Sequence, residues 1–338
     1  MTTGILLINL GTPDSFSESD VRDFLSALLS DPYVITLPKL WRDLLVQKII
    51  LPKRIKKTAA AYQKIWTSEG SPLLVNSVAL AQALQKKLGE EFVVALGMRY
   101  KNPSIEHAIK ILLEKQCKKL MVLPLFPQYA EATTASALKL FVRFAHTRRL
   151  PPAPLKESKL PPAPLWEYFM IEDFYNKDFY IQSYASLIQQ YLKPNDFLLL
   201  SFHGLPKRAN RKQAHPCYRT QCFETARLIA HELNLPAHRY DVAFQSRLGF
   251  TRWIQPYTHQ LIQSLRKKDI ENLSVVCPSF VADCVETLEE IGIRLREQWM
   301  QLGGKRFTLI PCLNADETWV DAIARFVQTR TLPSAPMF

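Results

Sequence analysis

The chain has 338 residues, room for two domains of ordinary size and for a core that needs no staples. Apolar residues at 47% and charged residues at 22% exclude a disordered or fibrous chain. The net charge of +12 favours anionic partners, yet no basic run alternates with aromatics as in a nucleic-acid module, so no nucleic acid is expected.

The first predicted element is the strand 4–10, GILLINL, which ends at Gly11-Thr12-Pro13. No basic segment precedes it, so it reads as a buried strand and not as a signal peptide. No apolar run approaches the ~18 residues that span a bilayer, and the expected location is the cytoplasm. The stretch 30–75 interrupts the pattern. Its segment LWRDLLVQKIILPKRIKK mixes Trp41, Leu44, Leu45, Ile49, Ile50 and Leu51 with six Lys or Arg. It is either an amphipathic insertion, suited to peripheral contact with the inner face of a membrane or to a cleft lid, or a solvated helix packed on its own domain. Helix 74–88, strand 92–97, helix 104–116 and strand 119–125 follow. Residues 150–165, LPPAPLKESKLPPAPL, carry a ten-residue tandem repeat whose proline density predicts an extended connector. Beyond it come strand 196–202, helix 220–234, strand 240–245, helix 256–268, strand 273–277, helix 283–300, strand 306–311 and helix 315–329.

Continuous apolar strands alternating with helices predict parallel sheets covered on both faces. The halves are alike: ILLINLGTP (5–13) resembles LLLSFHGLP (198–206), and VLPLF (122–126) resembles VVCPSF (275–280). The expected fold class is therefore α/β, with two domains of similar topology and a cleft between them. The N-terminal domain spans 1–150 and holds the insertion; a connector spans 151–178. The C-terminal domain spans 179–314, and a helix and tail occupy 315–338. Ligands of such sheets bind beyond the carboxyl ends of the strands. The candidates are then Gly11–Asp14, Arg99–Tyr100, Pro127–Thr134, His203–Pro206, Gln245–Trp253 and Pro278–Glu290.

No G-x-G-x-x-G, G-x-x-x-x-G-K-[ST], H-E-x-x-H or G-x-S-x-G occurs, so the common nucleotide, zinc-protease and serine-hydrolase sites are missing. His203 stands at a strand end beside Gly204, where an imidazole serves as a base or metal ligand, or as a hydrogen-bonded structural group. Asp283, Glu286 and Glu290 are spaced to share one helical face, which suits a divalent cation; the alternatives are a helix cap and a solvated acidic face. The run 244–258, FQSRLGFTRWIQPYT, gathers Gln245, Ser246, Arg247 and Trp253 and suits a large planar anion, or is a structured loop. The six cysteines lack zinc-finger spacing and read as reduced, buried thiols, with an internal iron–sulfur cluster not expected.

Taken together, NLGTPD (9–14), LLSDPYVI (28–35), GSPL (70–73), FPQY (126–129), LLLSFHGLP (198–206), FQSRLGFTRWIQPYT (244–258), CPSFVADCVETLEEI (277–291) and PCLN (311–314) resemble the ferrochelatase family over about residues 4–330. The resemblance implies two Rossmann-like domains and insertion of Fe²⁺ into protoporphyrin IX to form haem, with loss of two protons. It implies His203 and Glu286 as catalytic residues, and with the helical spacing of Asp283 and Glu290 the expected metal route is His203, Glu286, Asp283 and Glu290. The Phe-Pro-Gln-Tyr and Gln-Ser-Arg segments, with Gln128, Tyr129, Gln245, Ser246 and Arg247, look like parts of the porphyrin pocket, and the strand-end and loop residues Arg99, Tyr100 and Trp253 are expected beside them. No cofactor beyond the substrate Fe²⁺ is implied. The chain departs from some members in having Asp14 in place of a Tyr, Arg294 in place of a further carboxylate, and no cysteine after Cys312. The rival readings are a chelatase for another metal and tetrapyrrole, a haem carrier that needs no acidic ladder, and a two-domain solute-binding module.

Overall fold

A computed structural model describes residues 2–147, 167–211, 216–247, 249 and 251–331. Eight strands are present among them: β1 (Thr3–Asn9), β2 (Phe92–Met98), β3 (Lys119–Pro124), β4 (Glu167–Met170), β5 (Phe197–His203), β6 (Tyr240–Gln245), β7 (Asn272–Val276) and β8 (Arg306–Leu309). They form two four-stranded sheets, ordered β2-β1-β3-β4 and β6-β5-β7-β8. Every pairing is parallel. The second sheet thus repeats the strand order of the first, as the matched half-sequences predict.

Every residue of β1 is buried, and so is every residue of β5 up to His203. A strand enclosed on both faces has no need of polar alternation, which is why these runs are continuously apolar. Helices supply the covers. In the first domain they are α1 (Glu18–Leu29), α2 (Lys39–Leu44), α3 (Leu51–Ile65), α4 (Pro72–Leu88), α5 (Ile105–Glu114) and α6 (Ser136–Thr147). Ser17 caps α1 by accepting from the Asp20 amide at 3.1 Å, and Pro72 opens α4 where its missing N–H costs nothing. In the second domain they are α7 (Asp178–Tyr191), α8 (Lys207–Arg211), α9 (Tyr218–Glu232), α10 (Thr258–Arg266), α11 (Arg296–Gln301) and α12 (Glu317–Thr331). Three further stretches are wound as π-helix: Leu45–Ile50, Glu131–Ala135 and Glu286–Leu295.

Four differences from the sequence expectations have physical causes. β4 lies inside the expected connector; it is a short, half-exposed strand that extends the first sheet, so its apolar signal is weak. The tandem proline repeat itself lies outside the described residues. The helix expected at 283 begins at Glu286 and is π-wound before it becomes α11. Asp283 and Glu286 do not form a capping box. Asp283 instead accepts from Thr287 Oγ1 at 2.8 Å, and the Cys284 amide donates to Thr287 Oγ1 at 3.0 Å. Finally, α12 packs on α4 as well as α7, so the C-terminal helix ties the second domain back to the first. The Lys87–Asp321 ion pair at 2.7 Å joins those same two helices.

Gly11 fixes the turn after β1. Its φ is +106°, and a Cβ there would lie 1.8 Å from the Tyr100 carbonyl oxygen, a backbone atom. Gly89 also has positive φ, at +73°, but faces open space. Gly89→Ala should cost about 1–3 kcal/mol, the strain of a Cβ at that glycine-favoured φ/ψ, whereas Gly11→Ala should cost clearly more because the clash adds to it. Urea unfolding of the two variants checks the order; equal losses would mean that the Tyr100 carbonyl yields.

Candidate active site

β5 delivers His203 to the carboxyl edge of the second sheet. Its main chain is pinned on both sides: the amide donates to Ser279 Oγ at 3.0 Å, and the carbonyl accepts from the Tyr218 hydroxyl at 2.9 Å. The ring stays partly exposed and meets the edge of Phe280, with centroids 6.0 Å apart. Gly204 follows because a Cβ would stand 2.6 Å from the Gln245 carbonyl oxygen and 3.2 Å from Trp253. Trp253 is therefore buried behind the His203 turn and supports it, with its Nε1 donating to Thr251 Oγ1 at 3.1 Å.

Glu286 opens the π-helix that follows β7 and is also partly exposed. It faces α3 of the inserted segment. Burial pulls the Arg54 guanidinium below its usual value and Glu286 opposes that fall; burial and then Glu286 hold the Tyr62 phenol well above its usual value. α3 presents Ile55, Ala59 and Tyr62 as a buried stripe, so the insertion packs as a cover over the π-helix. Lys64 of α3 reaches Glu289 at 3.7 Å, and Arg294 holds the same carboxylate at 2.7 Å.

Gln245 joins the two partly exposed groups. It is 3% exposed and pairs in register with His203. Its Nε2 donates to the Glu286 carbonyl at 2.7 Å, while its Oε1 accepts from Ser201 Oγ at 2.7 Å. Ser246 grips the next turn: its amide and hydroxyl donate to the two oxygens of Glu290 at 2.8 and 2.6 Å.

The four residues of the expected metal route are thus in different situations. Asp283 is buried, with its oxygens taken by Thr287, by Asn314 Nδ2 at 2.8 Å and by the Cys312 amide. Glu290 is taken by Ser246, whereas His203 and Glu286 are each partly exposed. Among the described residues no three His, Cys, Asp or Glu side chains converge as a metal-binding cluster. All six cysteines are free, and all but Cys217 are buried.

Most residues of the expected pocket are likewise turned toward protein. Arg99 donates to Asp31 at 2.5 Å and to Ser136 Oγ at 2.6 Å, and the Tyr100 hydroxyl donates to Asp31 at 2.8 Å. Gln128 Nε2 donates to Thr225 Oγ1 at 3.1 Å and the Tyr129 amide to Gln221 Oε1 at 2.7 Å, so this pair stitches the domains together. Arg247 alone is exposed, its guanidinium 5.0 Å from the centre of the Tyr257 ring. Leu248 and Phe250 of the same loop lie outside the described residues. A cavity of about 450 Å³ opens beyond the ends of β1 and β2, lined by Thr12, Asp14, Trp66, Ser71, Asn102 and His107; neither His203 nor Glu286 lines it.

Sequence reasoning missed Tyr62, Arg54 and Asp31 as site residues; Ser279 falls within the expected stretch 278–290. The Ile55-Ala59-Tyr62 spacing is a readable helical face and was the available signal for the first two. Asp31 carries no local signal, because its partners Arg99, Tyr100 and Ser136 are distant in sequence.

Residues 2–331 match the family model described as ferrochelatase. Curated relatives named ferrochelatase include one from Coxiella burnetii strain Dugway, 49% identical over 96% of this chain and 93% of its own length. Another, from Legionella pneumophila strain Lens, is 44% identical over 97% of this chain and 99% of its own length. Among solved structures, SirB from Bacillus subtilis with Fe³⁺ superposes with a TM-score of 0.56 at 12% identity, covering 97% of this chain and 95% of that one, which shows a shared fold.

The Asp31 network gives a stability prediction. Asp31→Ala strands the largely buried Arg99 guanidinium and should cost about 3–5 kcal/mol in urea unfolding. A loss below about 1 kcal/mol would show that Arg99 is solvated and free for a ligand.

Proposed function

The chain belongs to the ferrochelatase family and inserts Fe²⁺ into protoporphyrin IX to form protohaem, and from that premise we propose how its own residues divide the work. Two pyrrole N–H protons must leave and the metal must arrive with little remaining hydration. His203 accepts a proton from the ring: its backbone is fixed by Ser279 and Tyr218 while its imidazole is left toward the cleft. Glu286 supplies carboxylate oxygens that pass Fe²⁺ or the second proton, ligands hard enough to hold ferrous iron and weak enough to release it. Arg54 opposite balances the carboxylate charge between turnovers. Asp283 and Glu290 shape the helix and do not ligate iron. Arg247, exposed at the rim, pairs with a propionate.

One observation carries this assignment. Of the acidic residues 283, 286, 289 and 290, three carboxylates are bound by amide, hydroxyl or cationic donors within 4 Å, whereas that of Glu286 meets the Cys284 thiol and faces Arg54 of the cover helix α3. The test is anaerobic metal insertion with Fe²⁺, or Zn²⁺ as surrogate, followed by loss of porphyrin fluorescence. His203→Ala and Glu286→Gln should each lower kcat by about 10²-fold or more, the contribution of a positioned acid–base group. Asp283→Asn should act on stability first. Full turnover in both of the first two variants would return the site to a binding function.

Peripheral membrane contact is the second proposal. Leu40 is 76% exposed and Trp41 64% exposed, and Leu37, Leu44 and Ile49 are exposed beside them. Lys39, Lys48 and Lys53 flank this apolar edge. No helix among the described residues is long and apolar enough to cross a membrane. The protein should sediment with anionic vesicles at low salt, and Leu40→Ser with Trp41→Ser should abolish that. Wild-type protein that stays in the supernatant sinks the idea.

A further inference from the structure

Gln245 and Ser246 carry the amide and hydroxyl that a porphyrin pocket would want, yet their polar atoms face the π-helix. Gln245 Oε1 is held by Ser201 Oγ at 2.7 Å, with Cys277 Sγ at 3.5 Å, so the amide cannot rotate freely and Nε2 is aimed at the Glu286 carbonyl. Ser246 has φ +64°, an uncommon conformation for a residue with a Cβ. That backbone points both its N–H and its hydroxyl at Glu290. Strain of this kind persists only where the surroundings over-determine it.

We propose that Gln245 and Ser246 are positioning residues, forming a two-point clamp that fixes the π-wound turn and so aims the Glu286 carboxylate relative to His203. The inference rests on the reading that His203 and Glu286 carry the reaction. The physics is geometric. A π-turn is wider than an α-turn and is rare as a free conformation. Rewinding Glu286–Glu290 to α would rotate residues 286 and 290 relative to one another and break one grip. Because Gln245 also receives the Gly204 amide at its carbonyl, at 2.9 Å, and pairs in register with His203, the clamp is anchored to the strand end that carries the imidazole. One short segment therefore measures the spacing of both groups.

The test uses the whole protein and separates positioning from substrate contact. Gln245→Met keeps the length and removes both amide grips. Ser246→Gly relaxes the backbone, keeps the N–H and removes the hydroxyl. Ser201→Ala frees the amide to rotate without touching the cleft. All three should lower kcat by about 10- to 100-fold, the usual loss on removing a group that orients an active ligand. Porphyrin KM and the Kd from fluorescence quenching should stay within about twofold, and the melting temperature of Ser201→Ala should stay near wild type. A tenfold weaker porphyrin Kd with kcat retained would make Gln245 a substrate contact and overturn the clamp. Unchanged kcat in Ser201→Ala and Ser246→Gly would overturn it too, even if Gln245→Met does not fold. His203→Ala and Glu286→Gln run alongside: if they lose turnover while the clamp variants keep it, only the clamp fails; if they keep turnover, the reading beneath it fails as well.

Discussion

Covering a parallel sheet on both faces leaves its strands no polar outlet except at their ends. β1 and β5 are buried along their length and emerge at Gly11 and His203. Everything chemical in this protein follows from that constraint. The first domain uses its strand ends for structure: the Asp31 network closes over Arg99 and Tyr100, and Gln128 and Tyr129 reach across to α9. The second domain uses the equivalent edge to present His203 and Glu286. Duplicated topology with divided duty explains why matched positions before the shared Gly11 and Gly204 carry unlike residues, Asn9-Leu10 against Phe202-His203.

Four acidic residues between 283 and 290 are a problem of repulsion before they are a catalytic device. The fold solves it one residue at a time. Asp283 is taken by Asn314 and Thr287, Glu289 by Arg294 and Lys64, and Glu290 by Ser246. Glu286 is left facing Arg54, half-buried on a neighbouring helix that only the insertion supplies. Its carboxylate meets the Cys284 thiol and feels the charge of Arg54. The three other acidic residues hold the turn around it.

The sheets, the repeat and the two strand-end residues were legible because each is a local signal: an apolar run, a Gly-x-Pro ending, a His beside a Gly. β4 was not, being short and half-exposed. The π-winding was not, since Glu286 and Glu290 share a face in either winding and the sequence spacing fits both. Arg99, Tyr100, Gln245 and Ser246 stand near strand ends, as expected, but their polar groups turn toward protein. Side-chain type and strand-end position fix the neighbourhood, but the hydrogen-bond partner of each group is Asp31, Ser201 or Glu290, from 44 to 69 residues away.

The inserted segment resolves an apparent choice between lid and surface helix. α3 turns Ile55, Ala59 and Tyr62 inward, Arg54 toward Glu286, and Lys53, Lys56 and Lys57 to solvent, so one amphipathic helix is committed on two sides at once. The apolar edge of α2 and the π-turn after it then has no protein left to cover it: Leu40, Trp41 and Leu44 project where α3 cannot reach. The apolar edge of the insertion therefore leads directly into the helix whose Arg54 faces Glu286.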